Sequence, residues 1–127
     1  MLYHIFLMIH ILGLIGWGGL TTGAYYMMVI ENEATVKMLT AYRRLVIIEV
    51  ISLIAMAISG LYMWIKIGMP NWVYPAFALA PILAVGEFYH YRFTFSDKFL
   101  EKMRYLSVFY TIIALFLIYD MIFKPQL

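Results

Sequence analysis

The stretch HIFLMIHILGLIGWGGLTTGAYYMMV, from His4 to Val29, decides the fold. It contains no Lys, Arg, Asp or Glu, and it exceeds the ~20 apolar residues that a helix needs to cross a bilayer core. The first element is therefore a transmembrane helix, long enough to tilt or to extend into the interface. His10, Gly13 and Trp17 share one face of it, because offsets of three, four and seven residues return to the same side of a 3.6-residue helix. No basic segment precedes the run and no small-residue cleavage site follows a short one, so it reads as a retained helix and not as a signal peptide.

The rest of the chain has the same character. Of 127 residues, 65% are hydrophobic and 13% charged, against roughly 25% charged in soluble domains. Four spans follow from the hydropathy pattern, at about 2–29, 45–65, 75–95 and 105–123. Glu31 to Lys37 forms the first polar connection, with Thr40 to Arg44 leading into the second span. Gly68-Met-Pro-Asn71 forms a turn ahead of the interfacial pair Trp72 and Tyr74, and Ser96 to Arg104 is the third connection. Pro81 lies inside the third span and predicts a kink near Phe77. The fold class is all-α: a polytopic membrane protein built as one antiparallel four-helix bundle, with the bilayer as its first partner.

Seven of the nine Lys and Arg residues fall on one side of this plan: Lys37, Arg43, Arg44, Arg92, Lys98, Lys102 and Arg104. The positive-inside rule makes that side cytoplasmic and places both termini outside. A net charge of +2 gives no reason to expect nucleic acid as a partner. The absence of cysteine excludes disulfides, thiolate metal sites and covalent haem attachment. The ten methionines read mainly as core filler, although thioethers also ligate soft metals.

Chemistry must then sit between helices. His10 is an ionisable group in hydrocarbon and so a candidate ligand, equally open to a hydrogen-bonded packing role. By a rise of ~1.5 Å per residue it lies about 9 to 12 Å below the outer surface, and His90 roughly 20 Å or more below it. The two imidazoles therefore do not share one iron within a chain. Met63 is the one strong candidate for a second ligand near His10. Gly16, Gly19 and Gly23 form a smooth strip that suits either a neighbouring helix or a flat macrocycle.

A second group lies deeper. Glu49 follows Arg44 by five residues, and Glu87 precedes Arg92 by five. Buried acids need partners, so a charge network of Glu49 and Glu87 with Arg44, Arg43 or Arg92 is expected. Glu87-x-x-His90 also has the spacing by which one helix offers a carboxylate and an imidazole to one metal, which makes His90 a candidate metal ligand or proton carrier. Asp120 and His4 lie near the outer surface and read as solvated.

The pattern His10-x-x-Gly13-x-x-x-Trp17-x-Gly19 in an outward-starting first span resembles the opening helix of the copper-resistance protein D membrane family and of HemJ-type protoporphyrinogen oxidases. Arg44-Leu45 opening the second span, with Ser59-Gly60-Leu61 near its outer end, is similar to the copper-resistance D side of that group. The resemblance implies haem b held by His10 beside Gly13 and Trp17, with copper as the alternative cargo. It places the protein in a prokaryotic-type cytoplasmic membrane, in electron transfer, haem handling or respiratory-complex support. The oxidases carry a lysine shortly after the tryptophan that opens the third span. Here Trp72 is followed four places on by Ala76, which leaves a haem-dependent oxidoreductase activity open. A homodimer, or a non-catalytic place in a larger membrane complex, is equally compatible with these residues.

Overall fold

The computed structural model describes residues 1–124. Four helices account for nearly all of it: α1 (Leu2–Glu31), α2 (Val36–Lys66), α3 (Tyr74–Phe93) and α4 (Phe99–Phe123), with a 3-10 turn at Asn71–Val73 before α3. Each is long and apolar enough to cross a membrane. Their outward faces are covered with exposed Ile, Leu, Val and Phe, including Ile15, Ile51, Val85 and Ile112. Helices apolar on every side are stable only in lipid or in a large core, and a four-helix chain has no such core. The protein is a multi-pass membrane protein.

The helices begin and end differently from the spans. α2 starts at Val36, nine residues ahead of the expected Leu45, because Thr35 caps it: its hydroxyl accepts from the Met38 amide at 3.2 Å. The polar stretch Thr40 to Arg44 is therefore helical, and the first connection shrinks to the turn after Asn32, which takes the left-handed conformation that closes α1 (φ 51°). α4 likewise starts at Phe99, six residues before Tyr105, and α3 ends at Phe93, two before Phe95. Hydropathy marks where lipid ends, whereas the backbone ladder continues into the interface until a cap stops it. At ~1.5 Å per residue α1 and α2 are each roughly 45 Å long. α3 passes through Pro81 as one continuous helix.

α1 and α2 pack most closely, and glycine permits it. A Cβ on Gly13 would lie 2.8 Å from the Ser52 carbonyl oxygen and 2.9 Å from Met56 Cβ, and one on Gly16 would strike the Ser52 side chain. Gly13, on the face of His10, and Gly16, the first position of the smooth strip, therefore serve helix packing. A Cβ on Gly18, Gly19 or Gly23 would meet nothing within 4 Å among the described residues. The interior holds two apolar clusters. Tyr25, Met28, Leu39, Val46, Phe99 and Met103 gather with Tyr42 toward the basic end. Trp17, Leu83 and Ile113 gather in the other half, against Leu53, Met56, Leu79 and Leu117.

Candidate functional site

Between these clusters the helices direct their polar residues inward. Tyr42, Val46 and Glu49 follow the i, i+4, i+7 rhythm on the buried face of α2, as do Leu83, Glu87 and His90 on α3. Trp17 and Thr21 share the corresponding face of α1. The result is a carboxylate–imidazole centre in which His90 is 1%, Glu49 3% and Glu87 4% exposed.

His90 Nδ1 lies 2.9 Å from Glu49 Oε2 and 3.4 Å from Glu87 Oε2. The other end of each side chain is held from outside the trio. Thr21 donates its hydroxyl to Glu49 Oε1, Trp17 Nε1 donates to Glu87 Oε1 at 3.3 Å, and the Tyr42 hydroxyl pairs with His90 Nε2 at 2.5 Å. Three atoms thus converge on one point while their three counterparts are anchored. Glu87 Oε2 and the Tyr110 hydroxyl are buried there with no hydrogen-bond partner among the described residues. Gly86 allows the latter approach, since a Cβ at that position would lie 3.1 Å from Tyr110 Oη.

The compensating charge is not the expected one. Arg44 and Arg92 are exposed, and among the described residues neither pairs with Glu49 or Glu87; both carboxylates pair with His90. The reason is helical geometry. Five residues at 3.6 per turn set two side chains about 140° apart around the axis, so a helix that turns its acid inward turns that arginine to the interface, where its long stem lets it reach water. Arg92 lies beside the Phe88 ring, 5.8 Å from its centroid. Arg43 is tied to the structure by hydrogen bonds, to Thr94 Oγ1 at 3.0 Å and to the Thr94 carbonyl at 3.2 Å, and lies over the Phe95 ring at 4.0 Å.

Asp120 is also corrected. It is 1% exposed, and both carboxylate oxygens lack a hydrogen-bond partner among the described residues. Packing around the C-terminal end of α4 covers a position whose nearness to the end of its span suggested that it was solvated.

The outer site predicted around His10 is divided. His10 Nδ1 lies 2.8 Å from the Met56 carbonyl oxygen, to which it donates, and 3.3 Å from Ser59 Oγ. Gly60 makes room for the ring, 3.0 Å from where its Cβ would stand. Met63 is buried one turn beyond Ser59 on α2. Gly13 packs against α2 and Trp17 belongs to the Glu87 side, so neither leaves a slot beside His10 for a porphyrin. His10 and the Glu49–His90 pair engage α2 seven to ten residues apart, roughly 10 to 15 Å along the axis, which keeps the two histidines in separate sites.

Tyr42, Thr21 and Tyr110 were not singled out in the sequence. The first two had a signal in their spacing, seven residues from Glu49 and four from Trp17. Tyr110 had none, because it faces the centre from a helix with no other ionisable group at that level.

Fold and centre together define a class: small α-helical multi-pass membrane proteins with a buried carboxylate–imidazole cluster. Comparison with protein-family models, with curated protein sequences and with solved structures gives no match for this chain.

Proposed function

We propose that this protein binds a divalent cation inside the membrane, with Glu49, Glu87 and His90 as its ligands, and that it handles such ions in a prokaryotic-type cytoplasmic membrane. One observation carries the reading: ligand atoms of these three residues lie within 4.8 Å of one another, while Thr21, Trp17 and Tyr42 hold the opposite atoms. Outer partners of this kind orient the ligands of metal sites and tune their basicity. Two carboxylates and a neutral imidazole carry the charge that a divalent ion balances, which offsets the large penalty for burying them. The donor set of two oxygens and one nitrogen suits Mn²⁺, Fe²⁺, Co²⁺ or Zn²⁺ better than Cu⁺, which favours sulfur. Chain orientation follows the basic residues, with the end carrying Lys37, Arg43, Arg44, Lys98 and Arg104 in the cytoplasm and both termini outside.

The test is titration of the purified protein in detergent with Co²⁺, followed by its visible d–d bands, and with Mn²⁺ and Zn²⁺ by calorimetry. Binding at one ion per chain, lost in Glu49→Gln and in Glu87→Gln, is the expected result. No binding by a folded protein means that the trio serves only as an internal polar lock between α2 and α3.

A second reading keeps haem b, or copper, at His10. It is favoured by the His10 Nδ1 bond to the Met56 carbonyl, because a ligating imidazole is commonly held by its other nitrogen in this way. Gly13 and Trp17 do not fit the group, so His10 Nε2 would contribute one ligand at a contact with a second copy or a larger complex. A reduced-minus-oxidised spectrum without a Soret band, or with a band that survives His10→Ala, removes haem from consideration.

A further inference from the structure

The metal reading requires a route to the centre, and the surroundings of Glu49 differ sharply from one direction to another. Outward, Trp17, Leu83 and Ile113 close the bundle with an apolar layer. Toward the basic end, Tyr25, Leu39, Val46, Phe99 and Met103 close the axis in the same way. The groove between α3 and α4 is walled mainly by apolar residues, among them Pro81, Ile82, Val85, Leu106 and Phe109, and holds no charged group.

The seam between α1 and α4 is different. The two helices meet sparsely there and leave a cleft of about 190 Å³, room for about six waters at ~30 Å³ each. Eight of its fourteen lining residues carry a hydroxyl, and Glu49 forms part of its wall. It extends from the level of Trp17 and Leu115 to Tyr26 and Met103, toward the basic end of the bundle.

The hydroxyls along its rim have a consistent polarity. Thr22 donates to the Gly18 carbonyl at 2.8 Å, Ser107 to the Arg104 carbonyl at 2.9 Å and Thr111 to the Ser107 carbonyl at 2.8 Å. Such back-bonding lets a hydroxyl tolerate lipid, and that would be its whole meaning on an isolated helix. Here it commits the donors of three hydroxyls on the two sides of one seam that ends at a carboxylate, and Thr21 commits a fourth to Glu49 itself. The lone pairs of these four oxygens can accept from the outward-pointing O–H bonds of a hydrated cation, and the Glu49 carboxylate in the wall favours a cation over an anion.

We infer that the cleft between α1 and α4 is the access route by which a hydrated divalent cation reaches Glu49, and that it is entered from the basic end of the bundle only. This rests on the metal reading above and adds the path and the side to it.

The absence of cysteine makes the test direct. Ser107→Cys, Thr111→Cys and, as a lipid-facing control, Ile112→Cys each carry a single thiol in the full chain, reconstituted in phosphatidylcholine–phosphatidylglycerol vesicles. The probe is a membrane-impermeant, cationic methanethiosulfonate. Because only the thiolate reacts and it forms only where water reaches, Ser107→Cys and Thr111→Cys are expected to react on the order of tenfold faster than Ile112→Cys. They are expected to do so only from the face bearing the basic loops, and their modification is expected to slow Co²⁺ binding by at least a similar factor. Reaction no faster than at Ile112→Cys, or equal from both faces, overturns the route even if Co²⁺ still binds. Failure of the unmodified protein to bind Co²⁺, Mn²⁺ or Zn²⁺ overturns the metal reading and the route together.

Discussion

His90 Nδ1 lies 2.9 Å from Glu49 Oε2, and this contact ties α3 to α2 across the middle of the bundle. One imidazole hydrogen faces two carboxylates, because Glu87 Oε2 is only 3.4 Å from the same nitrogen. Removing the histidine alone would leave two buried acids confronting each other. His90→Leu is therefore expected to destabilise the protein by about 3–5 kcal/mol. The triple change Glu49→Gln, Glu87→Gln, His90→Asn is expected to cost much less. Thermal unfolding in one detergent, read by circular dichroism, compares the two.

Tyr42 acts on the centre through His90 Nε2. Tyr42→Phe keeps the ring against Phe99 and removes only the hydroxyl. A loss of about 1–3 kcal/mol in stability is expected from the unpaired ring nitrogen, with a fall in Co²⁺ affinity of about 10- to 100-fold. A Co²⁺ spectrum altered in shape, measured at saturation, separates this positioning effect from general loosening.

Gly13 and Gly19 differ in what faces them. Gly13→Leu forces a side chain against the Ser52 carbonyl and Met56 and is expected to cost about 1–3 kcal/mol through overpacking. At Gly19 a Cβ would meet nothing within 4 Å among the described residues, so Gly19→Leu is expected to leave the melting temperature of the detergent-solubilised chain unchanged or slightly higher.

Asp120 is buried with neither oxygen paired among the described residues. Replacing a buried, unsatisfied acid by an apolar group of similar size removes its desolvation penalty. Asp120→Leu is expected to stabilise the protein by about 1–3 kcal/mol, seen as a higher melting temperature.

Arg43 and Arg44 are adjacent but unequal. Arg43→Ala severs two bonds to Thr94 and a cation–π contact with Phe95, and a loss of about 1–2 kcal/mol is expected. Arg44→Ala removes an exposed side chain and is expected to stay within about 0.5 kcal/mol, a contrast that parallel unfolding curves resolve.

Local composition by itself determined that this chain forms four membrane-crossing helices. Runs such as His4 to Val29 and Leu45 to Ile65 leave the backbone no way to satisfy its polar groups in lipid except as helices. It also determined which residues are chemically unusual, since Glu49, Glu87 and His90 are costly in hydrocarbon wherever their helices turn. Tertiary structure alone decided their partners. Spacing along the chain brought Arg44 near Glu49 in sequence, but the 3.6-residue turn carried it to the other side of α2. The acid's true neighbours, His90 and Thr21, arrive from other helices, and the Tyr110 hydroxyl and Asp120 became buried through contacts with no local signature. Helix rotation, set by how Gly13 and Gly16 let α1 settle on α2, determines which side chains meet inside, and no single segment encodes it.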